Sequence, residues 1–206
     1  MKLYYSAGSC STSCHITLEE SGLKYEAVEI DWDNDADPNL QEVQRLNPLG
    51  TLPILVTDSG ATLDQNLAIH TYVADQVPAK KLLPLAGTVE RAEAMNWLSF
   101  VAADLHKSFS PLFSLASISP AAQKDVRAWS IQNVEKCLSY LNTRLADKDY
   151  LMGSQFSVAD AYCFIVVNWT KWLDISLDSY TNLKSYLERL RNRPAIQKVY
   201  QEEGLE

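Results

Sequence analysis

The chain has 206 residues, 47% hydrophobic and 21% charged, which allows one large domain or two modest ones. Its formal net charge is −8 and no basic cluster exceeds Lys80-Lys81, which argues against nucleic acid or an anionic membrane surface as the main partner. No charged segment leading into a long apolar run opens the sequence, and no apolar stretch approaches bilayer length, so a cytoplasmic protein is expected.

The first element is the strand Leu3-Tyr4-Tyr5, turned at Gly8 into an amphipathic helix from Thr12 to Ser21. Cys10 falls on the loop at the mouth of that helix. Unpaired N–H groups and partial positive charge there favour an anion, so a thiolate is expected to form more easily than at an ordinary cysteine. A small packing residue is the other reading of Cys10, and the residues alone leave both open. The four cysteines, Cys10, Cys14, Cys137 and Cys163, are too few and scattered for a disulfide framework, and no pair has zinc spacing. All four are expected to be reduced.

Tyr25 to Ile30 alternates as a second strand, followed by an acidic surface loop from Asp31 to Asp37. A short helix over Leu40 to Leu46 ends at the turn Asn47-Pro48-Leu49-Gly50. Thr51 to Val56 reads as a third strand, and Pro53 within it, unable to donate to a ladder, fits an unusual turn with a cis peptide. Ala61 to Leu63 forms a fourth strand. Asp64 or Gln65 opens a helix to Gln76, giving the order βαβαββα.

Prolines, lysines and a glycine without period mark the stretch from Val77 to Gly87 as the junction. The division is 1–80, a linker 81–87, and 88–206. Beyond it every pattern is helical. Ala94, Trp97, Leu98, Val101 and Leu105 form one core face, and Ala121 to Leu145 a long helix with Trp129, Val134, Leu138 and Leu141 in its apolar set. Ser157 and Asp160 form a capping box before a buried helix over Ala159 to Trp172, in which Trp169 and Trp172 read as core. Two helices near Ser179 to Arg191 and Pro194 to Glu202 close the chain.

An αβ unit with a proline before its third strand, joined to a helical domain, resembles the glutathione transferases, and the bacterial beta class in particular. The residues that carry it are the Cys10 stretch, Asn47 to Pro53, the Leu63 to Asp75 helix, Lys81-Leu82-Leu83-Pro84, Leu105 to Phe113, and the capping box. The resemblance implies a thioredoxin-like N-terminal domain that holds glutathione as co-substrate, and an all-helical domain that shapes the second site. It implies no tightly bound cofactor, no metal and a homodimer. Cys10 would lie beside the glutathione sulfur and form a mixed disulfide with it. Leu52, before Pro53, would offer its backbone to the cysteinyl part. Gln65 and Asn66 would bind the γ-glutamyl carboxylate, Asp104 would face the γ-glutamyl amino group across a dimer interface, and His106 would reach the sulfur. Ser99, Ala102, Ala103 and His106 share one face beside the Leu105 core face, and small residues there leave room for a ligand. Ser11 would help favour the thiolate. Tyr5 is near enough in sequence to donate to the Cys10 sulfur, or to pack at the strand end.

Three positions depart from the family pattern. Asp33-Asn34-Asp35 replaces a lysine that would pair with the glycine carboxylate, so Lys107 or another cation would have to serve. Gln65 stands where an acid is common, and Ser99 where an asparagine is. Cys14 reads as a buried filler, with a resolving cysteine as the minor reading, and His15 and His70, without a partner cluster, as packing residues. The leading function is conjugation of glutathione to apolar electrophiles. The alternatives are thiol-disulfide or peroxide reduction through Cys10, and glutathione or ligand binding without turnover. The electrophile itself is not legible.

Overall fold

The computed structural model describes residues 1–205. Strand β1 (Lys2–Tyr5) pairs in parallel with β2 (Glu26–Glu29), and the crossover between them is helix α1 (Ser11–Ser21). Parallel neighbours require such a crossover. β3 (Ile54–Val56) lies antiparallel to β1, and β4 (Thr62–Leu63) antiparallel to β3, giving the order β2-β1-β3-β4. Alternation along β1 sends Leu3 and Tyr5 to a face covered by α1 and α3 (Asn66–Gln76), where Cys14, Leu18, Leu55, Ile69 and Val73 are buried. Tyr4 points to the other face, under Leu40 and Val43 of α2 (Pro38–Leu46).

The expected βαβαββα order holds, with shifted ends. α2 starts at Pro38, earlier than the Leu40 expected, because the Asp37 side chain accepts from the Asn39 N–H at 2.9 Å and Pro38 suits a first helical turn. The third strand starts at Ile54, after a cis Leu52–Pro53 peptide.

Beyond the junction the domain is helical. α4 (Val89–Phe100) runs through a π turn over Val101–Leu105 directly into α5 (His106–Phe113). α6 (Pro120–Arg144), α7 (Val158–Trp172), α8 (Thr181–Arg191) and α9 (Pro194–Glu202) follow. Trp97, Leu98, Val101 and Leu105 enter the core as their spacing predicted. α7 runs through the centre and is buried along nearly its whole length. Ile16 of α1 joins the same core, as do Leu82 and Leu83 of the junction. No helix among the described residues is long and apolar enough to cross a membrane.

Two aromatic expectations fail. Trp129 is 61% exposed, because the buried strip of α6 is Ser130, Val134, Leu138 and Leu141. Trp129 lies five residues before Val134, about 140° around the helix at 3.6 residues per turn. Trp172 is 58% exposed at the end of α7, whereas Trp169, one turn earlier, is buried. The exposed Trp172 ring lies across Gly8, where an added Cβ would collide with it.

Candidate active site

Gly8 turns the chain after β1 with φ of 71°, a value that favours glycine. Both its peptide groups are held. Its N–H donates to Glu203 Oε2 at 3.2 Å, and its carbonyl accepts from Trp169 Nε1 at 2.9 Å. Cys10 then caps α1 with φ of −59° and ψ of −22°, already helical. Its thiol donates to the Leu52 carbonyl at 3.6 Å, and Asn66 Nδ2 donates to the Cys10 carbonyl at 3.2 Å. Three segments distant in sequence therefore meet at Cys10.

They enclose a cavity of about 310 Å³. Thr51, Leu52 and Pro53 form one wall, and Asp64 to Leu67 at the start of α3 a second. Ala102, His106 and Lys107 close it from the helical domain, with Tyr162 of α7. Other hollows on the surface are larger, but this one holds the nucleophilic atom. Among the described residues its one cation is Lys107 and its one carboxylate Asp64.

The electrostatics correct the expectation for Cys10. Burial pushes its thiol up to about 11, against the opposing effects of the Asn66 hydrogen bond and the Lys107 charge. The thiol is neutral at physiological pH, a hydrogen-bond donor and no ready nucleophile. His106 is driven down to about 4 by burial and by Lys107, so its ring is neutral too. Its Nδ1 pairs with the Tyr162 hydroxyl at 2.8 Å, and its ring stands edge-on to Trp169 at 4.7 Å. With Tyr162 assigned as donor, the ring keeps its proton on Nε2 and can donate it to an anion.

The cavity gathers Cys10, Leu52, Pro53, Gln65, Asn66 and His106 from the expected set. It leaves out the others, each for a structural reason. Ser11 is fully buried, its Oγ accepting from the Ser6 N–H at 3.0 Å and pairing with Ser9 Oγ at 2.6 Å, so it ties the loop. Tyr5 follows the strand alternation toward α1, stacks near His15 at 5.2 Å and makes no bond to the sulfur. Burial pushes its phenol up to about 12. Leu105 is wholly in the core. Ser99, Ala103 and Asp104 are exposed, and the last two line a separate groove with Phe100, Trp129 and Tyr140. The π turn is the cause, since its wider i to i+5 bonding shifts the register while Ala102 and His106 stay on the cavity face.

Sequence reasoning missed Tyr162 and Glu203. A lone tyrosine in the apolar run of α7 was a usable signal, because a buried hydroxyl needs a partner. Glu203 gave none. Its side chain is fully buried and accepts from Thr12 Oγ1 at 2.7 Å and pairs with His15 Nδ1 at 2.8 Å, besides holding Gly8. His15, read as partnerless, thus has Glu203, and Glu202 at 3.3 Å from its Nε2. His70 bonds Thr17 Oγ1 at 2.8 Å and Ser13 Oγ at 3.1 Å. Cys14 lies fully buried behind Cys10, as expected.

His70 and His106 give the fold a defined acid limit. Burial drives His70 down to about 3 and His106 to about 4, from an ordinary value of 6.5. The unfolded chain therefore binds more protons below pH 6.5. The stability these rings contribute is whole above that pH and is lost as pH falls through 4 towards 3. Each ring steepens the fall by up to about 1.4 kcal/mol per pH unit. Urea midpoints measured at pH 7 and pH 5 are expected to fall with acid, and less so in His70→Gln; equal midpoints would contradict this.

A thioredoxin-like domain that presents a cysteine beside a cis-proline, closed by a helical domain, defines the class of glutathione-dependent thiol proteins. Family models for the glutathione S-transferase N-terminal domain and C-terminal domain match residues 7–76 and 103–194. The chain is 34% identical over 205 residues to the glutathione S-transferase GstA of Escherichia coli O157:H7, with both chains covered in full. It is 35% identical over 210 residues to the glutathione S-transferase GST-4.5 of Xanthomonas campestris, again in full. Among solved structures, it superposes on a ternary complex of BphK, a bacterial transferase, with TM-score 0.92 and 40% identity over both whole chains. It matches a sphingomonad glutathione S-transferase complexed with glutathione at TM-score 0.91 and 36% identity, also in full. This chain belongs to the glutathione S-transferase family.

Proposed function

We propose that this chain joins the thiolate of glutathione to electrophilic, mostly apolar small molecules. The observation that carries the reading is the convergence of Cys10, Leu52, Asn66 and His106 on one cavity. The sphingomonad relative is a complex with glutathione. In this reading the cysteinyl part of glutathione pairs with the Leu52 backbone, whose N–H has no partner among the described residues. The γ-glutamyl carboxylate sits at the start of α3, where Asn66 and Leu67 offer unpaired N–H groups. The acidic loop that replaces the family lysine does not line the cavity, which leaves Lys107 as its one cation for the glycine carboxylate.

Neutral Cys10 and neutral His106 support a donor role for both. Both act as donors to the glutathione thiolate once its proton has passed to solvent, and a preorganised donor in a buried site stabilises charge well. The sulfur then attacks the electrophilic carbon, a C–S bond forms, and the leaving group departs with its electron pair. Holding both reactants supplies the remaining acceleration. A thiol pushed up to about 11 is a poor attacking group, so Cys10 serves conjugation better than disulfide or peroxide reduction. A homodimer in the cytoplasm belongs to this reading.

Glutathione-dependent conjugation of 1-chloro-2,4-dinitrobenzene, followed in wild type and Cys10→Ala, tests it. Turnover in wild type is expected, with about ten-fold or smaller loss in the variant, the scale of one hydrogen bond. No turnover in either protein would overturn the proposal for this electrophile class.

A further inference from the structure

A second hollow, of about 400 Å³, lies where the end of α7 meets α9 and the Gly8 turn. Trp169, Trp172, Tyr200 and Leu205 give it apolar walls, and it shares no lining residue with the Cys10 cavity. The side-chain groups left without partners there are donors. Lys171 lines the hollow and makes no ion pair among the described residues, and Arg191 beside it makes none either. Arg191 Nη2 donates to Asn168 Oδ1 at 3.2 Å, but its Nε is buried without a partner. Burial, and then the Arg191 charge, hold the Lys171 ammonium below its usual range. The Tyr200 hydroxyl makes no hydrogen bond among the described residues, and burial pushes it up to about 12, so it keeps its proton.

No carboxylate among the described residues lines this hollow. Glu203, the acid that acts on Tyr200, has its oxygens taken by Gly8, Thr12 and His15. Lys171 and Arg191 both stand in the last turns of their helices, where positive charge is favourable by itself. That effect leaves the free phenol and the orphaned guanidinium N–H unexplained. We propose that the hollow binds a planar aromatic carboxylate, its ring against Trp169 and Trp172 and its charge on Lys171 and Tyr200. Apolar walls with a few convergent polar groups are the usual make-up of a small-molecule site. Aromatic walls suit a flat ring, and an anion offsets the repulsion between two neighbouring cations. The site is separate from the glutathione cavity and does not depend on the glutathione reading.

Calorimetric titration of the full chain with 2-naphthoate and with the neutral 2-naphthamide tests it. Wild type is expected to bind naphthoate about five-fold or more tightly, the scale of one partly exposed charge-assisted hydrogen bond. Lys171→Met, a change at an exposed position, should abolish that preference by weakening naphthoate alone. Tyr200→Phe removes only the hydroxyl and should weaken naphthoate about two-fold or more. Saturating S-(2,4-dinitrophenyl)glutathione, the product of the conjugation test above, should leave naphthoate affinity unchanged. Equal affinity of wild type for the two ligands, or a preference that survives Lys171→Met, would overturn the proposal. Displacement of naphthoate by the conjugate would overturn it too, by placing the ring in the conjugating site. Failure of wild type to bind either ligand would end it outright. Melting temperatures of the two variants show that any loss is not unfolding.

Discussion

Glu203→Ala is expected to destabilise the protein by about 3–5 kcal/mol, the cost of removing one partner from a buried charged cluster. The carboxylate is fully buried and serves Gly8, Thr12 and His15 of the Cys10 loop and α1 from the far end of the chain. Alanine leaves an amide, a hydroxyl and an imidazole without their acceptor, each unfavourable in a dry interior. Glu203→Gln keeps the shape and an acceptor oxygen, so it should recover a large part of the loss. The functional consequence follows from Gly8, which is anchored at its N–H by Glu203 and at its carbonyl by Trp169. Once the first anchor is gone the cysteine loop is held on one side only. Conjugation should then fall further than the folded fraction does. Chemical denaturation of both variants, with activity normalised to folded protein, checks this, and a loss below about 1 kcal/mol in the alanine variant would contradict it.

Asp160→Ala is expected to cost about 3 kcal/mol or more, without touching the cavity. Its side chain accepts from the N–H groups of Leu151 and Ser157, each at 2.8 Å, from the Ser157 hydroxyl at 2.8 Å, and from the Tyr186 hydroxyl at 3.0 Å. Burial holds its carboxyl above the usual range even with those donors present. The residue fixes the start of α7, the turn before it and the buried Tyr186 at once. Loss of an N-cap alone is worth about 1 kcal/mol, and the orphaned buried donors account for the rest. Asp160→Asn retains an oxygen for Leu151 and Tyr186 and should cost less. Thermal denaturation should rank wild type above Asn and Asn above Ala; near-equal midpoints would contradict the assignment.

The features that were legible in the sequence are those written in consecutive residues. The turn at Gly8 with Cys10 behind it, the cis-proline, and the Ser157–Asp160 box each occupy a few neighbouring positions, and all stand where expected. The core face of α4 was legible because Ala94, Trp97 and Leu98 keep the helical period before the π turn begins. Ser99 and Ala103 were misplaced by that same turn, whose extra residue per turn no periodicity announces. The helix-mouth argument for a Cys10 thiolate weighed the local helix end and could not weigh the burial that α7 and the Leu52 loop impose. His15 looked partnerless because Glu203 lies 188 residues away. Trp129 and Trp172 followed an apolar composition that the buried strips do not share.

The central claim is that glutathione lies in this cavity with its sulfur against Cys10. Incubation with glutathione disulfide followed by peptide mass mapping tests that placement directly. Attack by the small thiolate fraction of Cys10 on the disulfide forms a protein–glutathione bond and releases one glutathione thiolate. One adduct per chain is predicted, slow to form, on the peptide that holds Cys10, and absent from Cys10→Ala. Adduct confined to the half-exposed Cys137, with Cys10 unmodified at saturating disulfide, would contradict it.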